Sequence, residues 1–290
     1  MKKSLSVFSY PDDEGIKING GRLGAHLAPA VICQLLQKSK KDFWPSNISL
    51  VDEGSLNIKD LSLENKHDAA IKKASSLVKN HDYNIFLGGG HDYAYPDGIA
   101  FLKYCKQQEP STHKPLHKPL IINIDAHLDV RPTDKGFNSG TPFYRLLSKH
   151  HSEFSFWEIG IQKPCNTQEH WQWCLAHKGN IISNDELLLH SPSWAKYVIN
   201  KLPLDADKKQ PVYLSIDIDA FSSSYAMGCS QSWPLGILPH EFFVFLHLLM
   251  QNSHVKVMGI YEVSPPLDQD NRTSKLALQI IHHYAQGLTQ

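Results

Sequence analysis

Asp125, His127 and Asp129 stand at alternate positions in Asp-Ala-His-Leu-Asp, and Asp217 and Asp219 repeat that spacing in Ser-Ile-Asp-Ile-Asp. His91 follows three glycines in Gly-Gly-Gly-His-Asp, and Glu262 opens Glu-Val-Ser-Pro. Side chains two residues apart share one face of an extended backbone, so each block is expected to aim its acids and imidazole in one direction. Four aspartates gathered within a few ångströms repel one another. Like charges at that range shift pKa values by whole units, each about 1.4 kcal/mol. Two divalent cations neutralise such a set, and six ligands with one or two aspartates shared suit ions about 3.5–4 Å apart. Carboxylate and imidazole without thiolate favour Mn²⁺ over structural Zn²⁺, although Fe, Co, Ni and Zn are admitted by ligand type. Taken singly, Asp217 and Asp219 read as turn caps and Gly88 to His91 as a tight turn. The metal reading rests on their recurrence.

Each block closes an apolar run. Leu120 to Ile124 is almost unbroken and β-branched, as suits a parallel strand covered on both faces. Tyr83–Leu87, Val212–Ile216 and Val255–Tyr261 have the same character. Further strands are expected at 4–9, 48–51, 154–160 and 180–183. Helices are expected at 27–38, 68–78, 93–105, 143–149, 169–177, 241–250 and 272–284, with one more capped by Ser193 and running to Leu202. About eight strands alternating with helices predict a parallel sheet with helical layers, an alternation that a closed eight-stranded barrel shares. In either case ligand-binding residues gather at the carboxyl ends of strands. A polar stretch at 106–118 with two prolines reads as a surface loop, so the whole chain, 1–290, is expected to form a single catalytic domain.

Composition narrows the function. Lys+Arg and Asp+Glu balance at 29 each, which leaves no bulk charge to attract nucleic acid or an anionic membrane. The five cysteines form no Cys-x-x-Cys pair and no evident disulfide framework. The start is basic, but its apolar run is too short for a signal peptide. These features predict a reduced, cytoplasmic protein. Cys229 reads as an inert small hydrophobe.

The four blocks, Gly-Gly-Gly-His-Asp (88–92), Asp-Ala-His-Leu-Asp (125–129), Ser-Ile-Asp-Ile-Asp (215–219) and Glu-Val-Ser-Pro (262–265), resemble the signature blocks of the ureohydrolases, the superfamily of arginase, agmatinase and formimidoylglutamase. The resemblance implies a three-layer α/β/α fold with a parallel eight-stranded sheet and two Mn²⁺ ions per subunit. It implies that His91, Asp125, Asp129 and Asp217 hold one ion, that Asp125, His127, Asp217 and Asp219 hold the other, and that Asp125 and Asp217 bridge. Within the superfamily, Asn19-Gly20-Gly21-Arg22, Asn138-Ser139-Gly140-Thr141-Pro142-Phe143 and Gly160-Ile161-Gln162 with Asn166-Thr167 look most like formimidoylglutamase. Arginase and agmatinase carry a His where this chain has Ser139.

The implied reaction is hydrolysis of N-formimidoyl-L-glutamate to L-glutamate and formamide. Glu262 is expected to grip the amidinium N–H groups and Asp129 to carry a proton to the leaving nitrogen. Arg131 is expected to fork onto a substrate carboxylate, with polar contacts from Asn138 and Ser139. Relatives are commonly homo-oligomers, which sets the expectation of assembly here. Competing readings are an amidinohydrolase for agmatine, guanidinobutyrate or arginine, a catalytically silent metal-binding subunit, and a two-metal phosphoesterase. The last lacks a phosphate-cradling motif such as a P-loop.

Overall fold

A computed structural model describes residues 2–108, 118–204 and 210–288. Strands β1 (Lys3–Tyr10), β2 (Ile48–Ser55), β3 (Tyr83–Gly88), β4 (Leu120–Ile124), β5 (Ser155–Ile161), β6 (Gly179–Ser183), β7 (Pro211–Asp217) and β8 (His254–Tyr261) form one sheet in the order β2-β1-β3-β8-β7-β4-β5-β6. Every neighbouring pair is parallel. The sheet is open, with β2 and β6 as its edges, so the barrel alternative does not hold. Helices α1 (Glu14–Ile18), α2 (Ala28–Lys38), α3 (Leu63–Asn80), α4 (Ala94–Gln108), α5 (Pro142–His150), α6 (Gln168–Ala176), α7 (Asn184–Leu189), α8 (Trp194–Lys201), α9 (Pro239–Asn252) and α10 (Arg272–Gly287) connect and cover it.

The period-2 alternation of the strands sorts their side chains into two cores. Ile122, Ile124, Leu214 and Ile216 point to one face and pack with Ile32 of α2, Val198 of α8, Phe242 of α9 and Ile280 of α10. Ile121, Phe156, Tyr213 and Val257 point to the other and meet Ala74 of α3, Phe101 of α4 and Leu146 of α5. Both faces are therefore buried, as a parallel sheet requires, and the result is the expected three-layer sandwich.

The strands that carry the chemical blocks, β3, β8, β7 and β4, are the four central ones. The chain builds β1 to β3, crosses to build β4 to β6 outward on the other side, and returns through β7 and β8 to fill the gap. Carboxyl ends at such a crossover leave a crevice between the loops that diverge from it.

Several local expectations change. The helices α1 and α7, five and six residues long, give too few turns for a periodic signal. Ser193 precedes α8, but its side chain makes no capping hydrogen bond. Of the expected 106–118 loop, residues 106–108 close α4, and 109–117 lie outside the described residues. The final helix runs further than expected, to Gly287.

Candidate metal centre and substrate cleft

The acids converge through bends rather than through strand alternation. Strand β4 stops at Ile124, and the Asp125 carboxylate then accepts from the His127 N–H through Oδ1 at 2.7 Å. Asp129 follows with a φ of 48°, a left-handed conformation rare for a residue with a side chain. Its carbonyl accepts from the N–H groups of Phe143 and Tyr144 at the start of α5. Likewise β7 ends at Asp217, whose Oδ1 accepts from the Asp219 N–H at 2.8 Å and starts a 3₁₀ turn. Short aspartate side chains turn the backbone in both blocks, and this tight curl points all five ligand-type side chains inward.

His91 arrives over a glycine passage. A Cβ at Gly89 would lie 1.9 Å from the Asp12 carbonyl, so only glycine fits there. The Gly89 N–H donates to Tyr10 and its carbonyl accepts from the Glu262 N–H, which laces β3 between β1 and β8. The His91 N–H then donates to Glu262 Oε1 at 3.0 Å.

The ligand atoms form two groups, within each of which they lie no more than 4.8 Å apart: His91, Asp125, Asp129 and Asp217, and Asp125, His127 and Asp219. His91 Nδ1 is 3.1, 2.9 and 3.3 Å from Oδ2 of Asp125, Asp129 and Asp217. His127 Nδ1 is 3.0 Å from Asp219 Oδ2 and 3.6 Å from Asp125 Oδ1. Asp125 thus divides its two oxygens between the groups, as a bridging carboxylate would. Asp217, expected in both groups, falls in the first, and its Oδ1 accepts from the Asp219 N–H.

The electrostatics mark the cluster as short of positive charge. Burial raises the carboxyls of Asp129, Asp217 and Asp219, and neighbouring aspartates add to the rise. Burial and the Asp217 charge do the same to Glu262. Burial works against the charged forms of His91 and His127, yet the surrounding carboxylates prevail and lift both imidazoles above their ordinary value. For Asp125, burial is outweighed by His127 and His91, and its carboxyl sits below the usual range.

One buried atom tests the fit to a metal. His91 Nδ1 has no hydrogen-bond partner, although it faces three carboxylates. The other ring nitrogen, Nε2, is fixed by Ser215 Oγ at 2.8 Å. A histidine held by one nitrogen, with the other bare among carboxylates, has the arrangement of a metal ligand. The donor set of six side chains fits a pair of divalent ions.

Supporting side chains fix the frame. Asn166 accepts from the Leu128 N–H at 2.9 Å and donates to the carbonyls of Ala126 and Gln162 at 2.9 and 2.8 Å, clamping the 126–128 loop. The Tyr261 ring lies 4.9 Å from the His91 ring, and its hydroxyl, like that of Tyr10, donates to Asp97. Burial pushes the Asp97 carboxyl up to about 7. Beside His91, Asp92 receives His67 Nε2 at 2.6 Å, and His67 Nδ1 in turn accepts from Arg145 at 2.8 Å. The Arg145 guanidinium is stacked 3.6 Å from the rings of both Tyr95 and Phe137. Nothing in the local sequence around His67 or Arg145 distinguishes them from other helical residues.

A cleft of about 240 Å³ opens above the cluster, lined among others by Asp129, Asp219, Glu262, Arg131, Ser139 and Asn19. Arg131 Nη1 donates to Asn19 Oδ1, and Asn19 Nδ2 donates to Ser139 Oγ at 3.0 Å. Asn19 had no assigned role, although its Asn-Gly-Gly-Arg stretch stood out in the sequence. The same stretch supplies Arg22, which donates to the carbonyls of Cys229 and Ser230 and pins the opposite wall. Asn138, expected to touch substrate, does not line the cleft. Its Oδ1 accepts from the Gly140 N–H and shapes the loop that presents Ser139. Gln231, Trp233 and Cys165 also line the cleft and carried no motif. Cys229 is buried, as expected of a small hydrophobe.

Comparison with known proteins places these features. The model of the arginase family matches residues 3–286. A formimidoylglutamase of Staphylococcus aureus is 29% identical over 284 residues, covering 98% of this chain and 86% of that protein. The crystal structure of Trypanosoma cruzi formiminoglutamase with Mn²⁺ has a TM-score of 0.82 and 26% identity, over 98% of this chain and 93% of the other. Formimidoylglutamase from Bacillus subtilis has a TM-score of 0.83 and 25% identity, over 99% and 87%.

The raised carboxyls hold protons in the folded, metal-free chain at pH values where the unfolded chain has lost them. Stability of that form therefore falls as pH climbs above the ordinary aspartate value of 3.8 and through the raised values. The two raised histidines act in the same direction. Their contribution is full below the ordinary value of 6.5 and is lost as pH passes their folded values. Asp125 has the opposite sign, but its window closes below 3.8. Bound cations take the place of the protons. The rise in Tm caused by Mn²⁺ over an EDTA control should therefore be larger at about pH 8 than at about pH 6, by thermal denaturation; an equal or smaller rise at the higher pH would contradict the assignment.

Proposed function

The chain belongs to the arginase family, and from that premise we propose that it is a dimanganese hydrolase that cleaves N-formimidoyl-L-glutamate to L-glutamate and formamide. The observation that carries the reading is Asp125 sharing its two oxygens between two ligand groups, of which Asp129, Asp217, His127 and Asp219 line the cleft. The formimidoylglutamases of similar sequence and fold, one of them with Mn²⁺, favour this substrate and this metal. So does Ser139 at the position where arginase and agmatinase carry a histidine. The five cysteines form no disulfide, which suits a reducing, cytoplasmic setting. No helix among the described residues is long and apolar enough to cross a membrane. The chain is assigned a homo-oligomeric state by analogy only.

His91, Asp125, Asp129 and Asp217 would hold one ion, and Asp125, His127 and Asp219 the other. Such a pair, when bound, lowers the pKa of water from 15.7 toward about 7 and so makes hydroxide available at neutral pH. The chain's own residues position the substrate and move its protons. Glu262 has one oxygen engaged by the His91 N–H, which leaves the other for the formimidoyl N–H groups. Arg131, with Nη1 tied to Asn19, directs its guanidinium toward a substrate carboxylate, and Ser139 adds a hydroxyl beside it. Hydrolysis adds water at the formimidoyl carbon and breaks its bond to the glutamate nitrogen, which must gain a proton to leave. Asp129, at the cleft floor, is the carrier of that proton.

The direct test is incubation of the Mn²⁺-loaded protein with N-formimidoyl-L-glutamate, with formamide measured as product. Urea from arginine, agmatine or guanidinobutyrate, with no formamide, would replace the reading by that of another amidinohydrolase. Absence of turnover on every amidine would leave a silent metal-binding subunit. Removing the Arg131 guanidinium loses charge-assisted hydrogen bonds of roughly 1.5–3 kcal/mol, so Arg131→Ala should raise KM about 10- to 100-fold with a much smaller fall in kcat. An unchanged KM would remove Arg131 from the carboxylate site. Asp129→Asn, with both ions shown to be present, should lose turnover, typically about 100-fold or more for a displaced proton carrier. Full turnover in that variant excludes the assignment.

A further inference from the structure

Beneath the ligand floor, the side chains of Asn123 on β4 and Glu158 on β5 meet across the sheet. The two residues are paired in the parallel register, and neither is accessible to solvent. Asn123 Nδ2 donates twice: to Asp125 Oδ2 at 3.1 Å and to Glu158 Oε2 at 2.9 Å. Both amide hydrogens are therefore used. The remaining oxygen of each side chain, Asn123 Oδ1 and Glu158 Oε1, is buried without a hydrogen-bond partner. A carboxylate and an amide oxygen are both acceptors, so an ionised Glu158 leaves two orphans in a site where each is costly. A single hydrogen resolves both. With a proton on Oε1, Glu158 donates to Asn123 Oδ1 while accepting from Nδ2, and the two side chains close a cyclic acid–amide pair.

We infer that Glu158 is a permanently neutral carboxylic acid that orients Asn123, and through it the Asp125 carboxylate, and is thus a positioning residue for the metal centre. The order of demand runs outward from Asp125. Its carboxylate requires a donor, so the Asn123 amide must turn Nδ2 toward it. That choice leaves Oδ1 without a donor, and an O–H on Glu158, the side chain that Nδ2 already binds, would supply one. Burial and the charge of Asp125 act in the same sense and push the Glu158 carboxyl well above the ordinary glutamate range. A neutral acid also adds no charge to a floor already crowded with aspartates. Partners of this kind around metal ligands typically govern metal affinity as well as geometry.

The inference rests on Asp125 as a metal ligand, as in the proposed function, but its test is separable from turnover. Glu158→Gln preserves the ring of hydrogen bonds with an amide N–H in place of the O–H, whereas Glu158→Met abolishes it. In the infrared spectrum of the Mn²⁺-loaded protein at about pH 8, the parent should show a carboxylic-acid C=O band above the carboxylate region, absent from Glu158→Gln. Glu158→Gln should bind Mn²⁺ as tightly as the parent by calorimetry, and Glu158→Met about 10- to 100-fold more weakly. The inference fails if no acid band is lost, if Glu158→Gln weakens Mn²⁺ binding, or if Glu158→Met leaves it unchanged. Should Glu158→Met not fold, the band and the affinity of Glu158→Gln still decide. Failure to form formamide would instead count against the substrate reading and leave these measurements standing.

Discussion

Repulsion among buried carboxylates at the centre of the sheet is the constraint on which the rest of the structure depends. Asp125, Asp129, Asp217 and Asp219 end or follow neighbouring strands, and all lie in an interior where charges interact far more strongly than in water. No arrangement of hydrophobic packing stabilises that cluster. Two imidazoles offset it in part by drawing protons, and divalent cations would offset it more completely. Much of the surrounding architecture holds these oxygens together against their mutual repulsion: the glycine passage at Gly89, the aspartate-driven bends and the Asn166 clamp.

The sheet order explains why these four strands and no others bear the load. Strands β3, β8, β7 and β4 adjoin at the crossover of the chain, so their carboxyl ends open into a common crevice. No described residue of the outer strands β2 and β6 lines the cleft. Stability and chemistry are thereby separated along each strand. The apolar runs that bury Ile122 and Leu214 give way, within one or two residues, to the acids.

This separation also made the centre legible in the sequence. An unbroken apolar run followed by acids at alternate positions is a local signal, and it located acids and an imidazole that the structure gathers, with the strands below them. Their convergence comes from bends at Asp125 and Asp217 rather than from the extended backbone that the spacing predicts. What stayed hidden was tertiary. Asn123 and Glu158 meet only because β4 and β5 pair in a particular register. His67 and Arg145 sit on helices whose spacing shows nothing unusual, and Asn19 acquires its role only when Arg131 arrives from 112 residues away. Asn138 illustrates the converse. Its position in a recognisable stretch was clear, but whether its amide faced the cleft or its own loop depended on a backbone turn that spacing does not encode.

The clamp formed by Asn166 has a kinetic implication. One amide holds both a donor and an acceptor of the segment that bears His127, and joins it to the carbonyl of Gln162 beyond β5. A cradle braced in this way is preorganised: its atoms need not search for one another when an ion enters. Exchange of one ion for another would then be governed by desolvation and departure of the ion, rather than by opening of the chain. Discrimination between ions of different radius would fall to a fixed cage, which can reject a poor fit but cannot adapt to it.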